Sequence, residues 1–271
     1  VINQCSQIPE AFSHYPAALS FIEQPTLAGT ADAVYQAREF IGSDPFVLIF
    51  GDNLTNASVS QLIAVYRDQD VRGVLGVFEG GDPARHAVIQ VSGSRVVNIE
   101  ERPSHPKSTL TSAGMFVLEP LVFEAIQEIP PSPSGEYYLP DALQWLLTRY
   151  PFGYAIIQGW RININTPRDV IVGFELVLCD RQPVGGSRVF VHESSRVGLN
   201  VAFQGIIWVG RECQIESNVC LENVICLDGS RVGAGSQVSW AILEEGTCLP
   251  ARSTLLCFEN PIAIGRDEDK E

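Results

Sequence analysis

Lysine is almost absent from this chain. Lys107 and Lys270 are the two that its 271 residues contain, against a formal net charge of −14 and an isoelectric point near 4.7. A surface that tracks a phosphate backbone needs clustered Lys and Arg, and none occurs, so nucleic acid is not an expected partner. Long apolar runs are missing too. Phe46–Phe50 is too short to cross a bilayer, Val170–Leu178 is broken by Glu175, and no basic-then-apolar leader opens the chain. A soluble cytoplasmic protein without a membrane partner is the expectation. Seven cysteines form no Cys-x-x-Cys pair and their number is odd, which argues against a zinc cage or a closed disulfide framework. Cys213, Cys220 and Cys226 are read as small core-filling side chains. The one methionine is Met115, and the chain opens in mid-pattern on Val1-Ile2-Asn3-Gln4, so Val1 is read as lying inside a domain.

What is present is enough apolar side chain, 45% of residues, to bury one large core and one smaller one. Up to Cys179 short β-branched runs alternate with amphipathic stretches, the pattern of an α/β domain with a mostly parallel sheet. Strands are expected at 19–22, 46–50, 73–78, 87–91, 96–100, 112–118 and 154–158. Helices are expected at 30–40, 58–68, 120–128, 140–149 and 167–179, several opened by Pro or a capping residue. Residues 180–188 concentrate Pro, Gly and Ser and read as a linker, with a second domain over 189–258 and an acidic tail over 259–271.

In that second domain apolar residues recur every six positions: Val191, Val197, Phe203, Val209, Ile215, Leu221 and Leu227. The register then slips by one to Val232 and Val238, and again to Leu243 and Leu249, as if later coils lost a residue. A second apolar column runs through Val201, Ile207, Cys213, Val219 and Ile225. This is the hexapeptide pattern of a parallel β-helix, in which three hexads make one triangular coil.

Two local motifs precede it. Gln24-Pro25-Thr26-Leu27-Ala28-Gly29-Thr30 lies between a strand and a helix, where Gly29 lets the backbone approach a planar ligand and the helix start near Thr30 offers N–H groups to an anion. The same residues equally describe a turn capped by Thr30. Phe50-Gly51-Asp52-Asn53 follows a buried-strand run, so Asp52 stands at the carboxyl end of a strand, where open α/β sheets bind ligands and a hard oxygen suits Mg²⁺.

With these motifs at this spacing, the run Phe21–Leu54 resembles the sugar-1-phosphate nucleotidyltransferases, among them glucose-1-phosphate thymidylyltransferases and N-acetylglucosamine-1-phosphate uridylyltransferases. The resemblance implies a Rossmann-like nucleotidyltransferase domain over 1–179, followed by a left-handed β-helix. It implies nucleotide-binding roles for Gln24, Pro25, Gly29 and Thr30, and a catalytic, metal-binding role for Asp52. Ile99-Glu100-Glu101-Arg102-Pro103 is similar to the family's Glu-Lys-Pro element, which gives Glu101 the sugar hydroxyls and Arg102 the phosphate, with a planar fork in place of an ammonium. Gly135-Glu136-Tyr137-Tyr138 is similar to an element whose Glu reads the sugar, which implies that role for Glu136. Trp160–Pro167 is similar to the segment that supplies a second metal ligand, Asn163 or Asn165 here, where many members carry Asp. Ala87 stands where members have a sugar-facing Gly.

The family's glycine-rich loop and its Thr-Arg-Leu signature do not occur in this sequence, and Val1 aligns with the family domain's third strand. The expected full-length activity is NDP-sugar and pyrophosphate formation from a nucleoside triphosphate and a sugar-1-phosphate with Mg²⁺, the chain as given being inactive for want of that loop. The alternative is an inactive regulatory or binding homologue that keeps the pocket. In either case the β-helix is expected to build a homo-oligomer. Acyl transfer on the β-helix needs a general base there, and His192, at its edge, is the one histidine near enough to serve.

Overall fold

The computed structural model describes residues 1–3, 8–13, 15–80, 83, 86–181, 188–257 and 261–265. In chain order the elements begin with α1 (Ile8–Ala11), α2 (Thr30–Gln36), α3 (Arg38–Ile41), β1 (Phe46–Ile49), β2 (Asn53–Thr55), α4 (Ser60–Asp68), β3 (Gly73–Glu79), β4 (Ala87–Ser92), β5 (Arg95–Glu101) and β6 (Leu110–Leu118). They continue with α5 (Leu121–Glu128), α6 (Leu139–Leu147), β7 (Gly153–Ile156), β8 (Arg161–Asn163) and α7 (Pro167–Arg181). The chain divides into two compact units, one of residues 1–51 and 56–159, the other of 52–55 and 160 onward.

The first unit is a six-stranded sheet in the order β1-β6-β3-β7-β5-β4. β1, β3, β4 and β7 point one way, and β5 and β6 run against them. Strand direction is therefore mostly shared, as the sequence predicts. Because the reversed strands are interleaved, however, β3–β7 is the parallel pair among the neighbours in that order. Side chains alternate across the sheet. Ala113, Met115 and Val117 of β6 pack with Leu62 of α4 on one face, while Phe116 and Leu118 join α2, α5 and α6 on the other. α6 buries Leu139, Ala142, Leu143 and Leu146, a spacing of three and four residues that makes one continuous stripe.

The strand expected at 19–22 reduces to an isolated parallel bridge between Ile2 and Glu23. Leu19 and Phe21 face solvent, so the run has no sheet to join. The helix expected at 30–40 is split at Ala37 into α2 and α3.

In the second unit, β9 (Val189–Val191), β10 (Arg196–Val197), β11 (Ala202–Val209), β12 (Gln214–Ile215), β13 (Cys220–Cys226), β14 (Arg231–Val232), β15 (Gln237–Leu243), β16 (Cys248–Leu249), β17 (Thr254–Leu256) and β18 (Ile262–Ile264) stack as a parallel β-helix of about four turns. Ala202 pairs with Cys220, eighteen residues on, and Cys220 pairs with Gln237, seventeen on. The register slip in the sequence is thus a coil that has lost one residue. Val209, Ile215, Leu221, Val232, Val238 and Leu243 stack inside with Ile207, Cys213 and Val219. Val197, an expected anchor, is 40% exposed, because β10 is the terminal strand of its sheet.

Two boundaries differ from expectation. α7 groups with the β-helix rather than with the α/β domain, because Ile171 and Leu178 pack on Ile206, Ile225 and Ile242. The β-helix runs on to Ile264, where β18 pairs with Ala241–Leu243, so residues 262–264 are not tail. Linker residues 182–187 and the tail from 266 lie outside the described residues. Among the described residues no helix is long and apolar enough to cross a membrane.

Candidate functional site

Two of the motifs read from the sequence are bound to each other in the first unit. Tyr137 N–H donates to the Ala28 carbonyl (2.8 Å), and Ala31 N–H donates to the Tyr137 carbonyl (2.9 Å). Thr30 Oγ1 accepts from Leu139 N–H (3.0 Å), the first helical amide of α6. Thr30 therefore serves the start of α6 and does not cap its own helix, and Ala31 N–H, expected to await an anion, is already engaged. Gly29 has φ 98° and ψ 177°, and a Cβ there would overlap the Tyr137 carbonyl oxygen and lie 2.8 Å from its nitrogen. The missing side chain thus makes room for Tyr137 backbone. Gln24 is buried beneath this loop, donating from Nε2 to Asp32 Oδ2 (2.7 Å) and to the Gly29 carbonyl (3.1 Å). Pro25 precedes the turn and is exposed.

Around the start of α6, Glu136 accepts from the Tyr138 hydroxyl (2.5 Å). Gln144, one turn further along, accepts from Ile99 N–H (2.9 Å), which ties α6 to β5. β5 then ends on Glu101, which lies directly across the hairpin from Ala87. Arg102 follows with φ 44° and turns its Nε to Glu101 (3.1 Å). Burial pushes the Glu101 carboxyl above the ordinary glutamate range; Arg102 pulls it back, and Asp141 in the first turn of α6 adds to the upward push. Burial raises Asp141 as well. The four residues Ala87, Glu101, Arg102 and Asp141 are therefore brought together, Asp141 without any sequence signal.

This charge arrangement makes a prediction. A raised folded-state pKa means that the folded chain holds its proton to higher pH than the unfolded chain does, so stability declines as pH rises through and above the ordinary carboxylate range. Asp141→Asn removes one like charge, and the Glu101 carboxyl is then expected to titrate at lower pH, read by carboxyl ¹³C NMR. An unchanged Glu101 midpoint would show that the two groups do not interact.

In the second unit Asp52 opens a two-stranded antiparallel ribbon, β2 with β8, in which Asn53, Leu54 and Thr55 stand opposite Asn163, Ile162 and Arg161. The Asp52 main-chain carbonyl accepts from Ile164 N–H (2.8 Å), and Thr55 Oγ1 donates to the Trp160 carbonyl (2.6 Å). Leu54, Ile162 and Ile164 share one face and close on Gly173 of α7. The other face carries Asn53, Thr55, Arg161, Asn163 and Asn165. Asp169 fixes the end of the ribbon: its Oδ2 accepts from the N–H of Asn165 (3.0 Å) and of Thr166 (2.8 Å), and Thr166 Oγ1 reciprocates to Asp169 N–H (3.3 Å). This is a capping box on α7, with Pro167 as the first helical residue. Arg161 is partly buried; desolvation lowers its pKa, and the Asp52 carboxylate opposes that shift.

The nucleotidyl transferase family model matches residues 5–162, more than half of the chain. The chain belongs to the nucleotidyl transferase family. It is similar to the low-salt glycan biosynthesis nucleotidyltransferase Agl11 of Haloferax volcanii, 32% identical over 62% of this chain and 48% of that protein. It is also similar to a glucose-1-phosphate thymidylyltransferase of Streptomyces griseus, 33% identical over 63% and 49% respectively. The chain thus spans about half the length of these curated relatives. The fold joins a Rossmann-like domain and a parallel β-helix; over 60% of this chain and 61% of the other it is like that of a UDP-glucose pyrophosphorylase from Acinetobacter baumannii, with TM-score 0.53 and 19% identity.

The Mg²⁺ that membership in the nucleotidyl transferase family implies can be tested against the ribbon's own donors. Asp52 is the one carboxylate of the expected set, Asn163 and Asn165 being neutral amides. The Asn163 Oδ1 already accepts from Asn165 Nδ2 (2.5 Å). A guanidinium, Arg161, lies in the field of Asp52. Among the described residues no group of three or more His, Cys, Asp or Glu side chains gathers around a common point. Mg²⁺ is commonly held by one or two carboxylates together with substrate phosphates and water, so Asp52 flanked by two neutral amides is a minimal, weakened donor set for it.

Sequence reading gave no role to Arg161, Asn53 or Asp141. The first two belong to three-residue strands without periodicity, and the third reads as an ordinary acidic first-turn helix residue. His192, the candidate base for acyl transfer, has its Nδ1 occupied by Ser194 Oγ (2.9 Å) in a local turn.

Proposed function

We propose that the whole protein forms an NDP-sugar and pyrophosphate from a nucleoside triphosphate and a sugar-1-phosphate. A phosphate oxygen of the sugar-1-phosphate attacks the α-phosphorus in line; the bond from that phosphorus to the bridging oxygen breaks, and pyrophosphate leaves with the electron pair. Such chemistry rests on positioning and charge neutralisation, with no covalent nucleophile from the protein. In this reading Gln24, Pro25, Gly29 and Thr30 form the nucleotide side, Ala87, Glu101 and Glu136 face the sugar, and Arg102 steadies the sugar phosphate. The observation that carries it is the two-hydrogen-bond splice of Ala28 and Ala31 onto Tyr137, which holds the family's base-reading and sugar-reading elements in one fixed arrangement. The β-helix is assigned the assembly of copies into a homo-oligomer, a reading supported by Leu199 and Leu256 exposed on its coils.

A second reading, a homologue that binds sugar nucleotide without turnover, is favoured by the single carboxylate of the β2–β8 ribbon. Calorimetric titration with UDP-glucose and dTDP-glucose, beside a pyrophosphatase-coupled assay over a panel of nucleoside triphosphates and sugar-1-phosphates, separates the two. Binding with phosphate release establishes the enzyme, and binding without release establishes the binding homologue. Glu136→Gln is expected to weaken the sugar nucleotide by about tenfold, a loss of about 1.4 kcal/mol. Neither binding nor release from the full-length protein would remove both readings.

A further inference from the structure

An N–H in a strand is ordinarily satisfied by the neighbouring strand. β5 has β4 beside it from Arg95 to Glu101, but on its other side, among the described residues, β7 pairs with it only at Arg95. The β4–β5 register shifts between Gln90 and Val91, and beyond that shift Ile99 N–H donates to the side chain of Gln144, on α6, instead of to a strand. Ile99 is buried, so loss of the Gln144 oxygen would leave that donor with little access to water. Asp141 stands one helical turn before Gln144 and so shares its face of α6. It acts electrostatically on Glu101, two residues beyond Ile99, so this face of the helix runs along the end of the strand. The same helix follows directly on Glu136–Tyr138, and its first amide is held by Thr30 Oγ1 (3.0 Å).

We propose that Gln144 is a positioning residue for the sugar half of the ligand: it stands in for a missing strand neighbour at Ile99, and so fixes the end of β5, with Glu101, relative to Glu136 ahead of α6. The proposal rests on the functional reading above for the identity of the ligand and for the roles of Glu101 and Glu136. Gln144 acts without touching the ligand. Residues two apart on a strand point the same way, so a displacement of Ile99 carries over to the Glu101 carboxyl. The nucleotide half is held differently, by the splice of Ala28 and Ala31 onto Tyr137, in which Gln144 takes no part. Loss of the Gln144 oxygen is therefore expected to act on the sugar and to spare the base.

Gln144→Met keeps the length and helix preference of the side chain and removes its amide oxygen. Leu143→Val is the control, since it loosens a fully buried residue of the same helix and leaves the bond to Ile99 in place. Calorimetric titration of the full-length protein compares UDP-glucose and dTDP-glucose with UDP and dTDP. In Gln144→Met the sugar nucleotides are expected to bind about tenfold more weakly and the bare nucleoside diphosphates as in the wild type, while Leu143→Val keeps both affinities. Equal losses for the two kinds of ligand, or an unchanged affinity for the sugar nucleotides, would overturn the proposal. A second measurement needs no ligand. In Gln144→Met the Ile99 amide is expected to exchange its hydrogen faster by about tenfold or more, and the Glu101 carboxyl, less buried, to titrate closer to the ordinary glutamate range by ¹³C NMR. A Glu101 midpoint that stays fixed in Gln144→Met, or that moves as far in Leu143→Val, overturns the proposal. If neither sugar nucleotide binds the wild type, it is the functional reading that fails, and the Glu101 titration still decides whether Gln144 holds the end of the strand.

Discussion

Gly29→Ala is expected to destabilise the α/β unit by about 3 kcal/mol or more, a shift of several degrees in its melting temperature. Two costs combine. The backbone angles, φ 98° and ψ 177°, lie in a region that residues with a Cβ essentially do not enter. The new methyl group would also run into the Tyr137 peptide, which cannot withdraw without breaking the hydrogen bonds from Tyr137 N–H to Ala28 and from Ala31 N–H to Tyr137. Gly42→Ala is the control. Its φ of 66° with ψ −127° also disfavours a Cβ, but a Cβ there meets nothing within 4 Å, so backbone strain alone is expected to cost about 2 kcal/mol. Urea unfolding of both variants decides the matter, and equal losses would mean that the contact with Tyr137 contributes nothing. The binding consequence follows from the same geometry. If the splice opens, the elements carrying Gln24 and Glu136 separate, so sugar-nucleotide affinity falls in Gly29→Ala and holds in Gly42→Ala.

How far the sequence could be read depended on the range of the interactions involved. The stripe Leu139, Ala142, Leu143 and Leu146 lies within one helix, and its period gives both the helix and its buried face. The β-helix was legible for a related reason: each coil packs on the next, so the structural repeat is printed as a six-residue repeat, down to the lost residue between Cys220 and Gln237. Gly29 was singled out correctly as a glycine position, but its reason lies in Tyr137, more than a hundred residues away, and no local pattern reports such a partner. Which strands are reversed was likewise invisible. β6 reads as any buried strand, and its reversal between β1 and β3 follows from chain routing rather than from its side chains. The ribbon of Asn53–Thr55 and Arg161–Asn163 is too short for periodicity, so Arg161, though inside the quoted segment Trp160–Pro167, was given no role. α7 shows the converse limit. Its apolar residues were read as core of the first domain because they follow it in sequence, whereas Ile171 and Leu178 are spent on the outer face of the β-helix.

Leu221→Asp and Val197→Asp provide the second large test, because the hexad pattern makes the two positions equivalent and the structure does not. Leu221 lies in β13 between β11 and β15, is fully buried, and has a coil above and below it. A carboxylate there loses its water on both sides and gains no partner, so the expected cost is about 4 kcal/mol or more, enough to unfold the β-helix or to force the side chain to stay protonated near neutral pH. Val197 lies in β10, which pairs with β12 on one side only, and the side chain is 40% exposed. Its carboxylate can remain hydrated, and a loss of about 1 kcal/mol or less is expected. Leu221→Val sets the scale between them, since it removes about one methylene from a filled interior and should cost about 1 kcal/mol. Urea unfolding followed by limited proteolysis of the 189–264 region reads all three. A Leu221→Asp chain as resistant as the wild type would mean that the coil interior is wet at that level. A Val197→Asp chain as damaged as Leu221→Asp would mean instead that something covers the first coil, and that its exposed anchor is buried in the assembled protein.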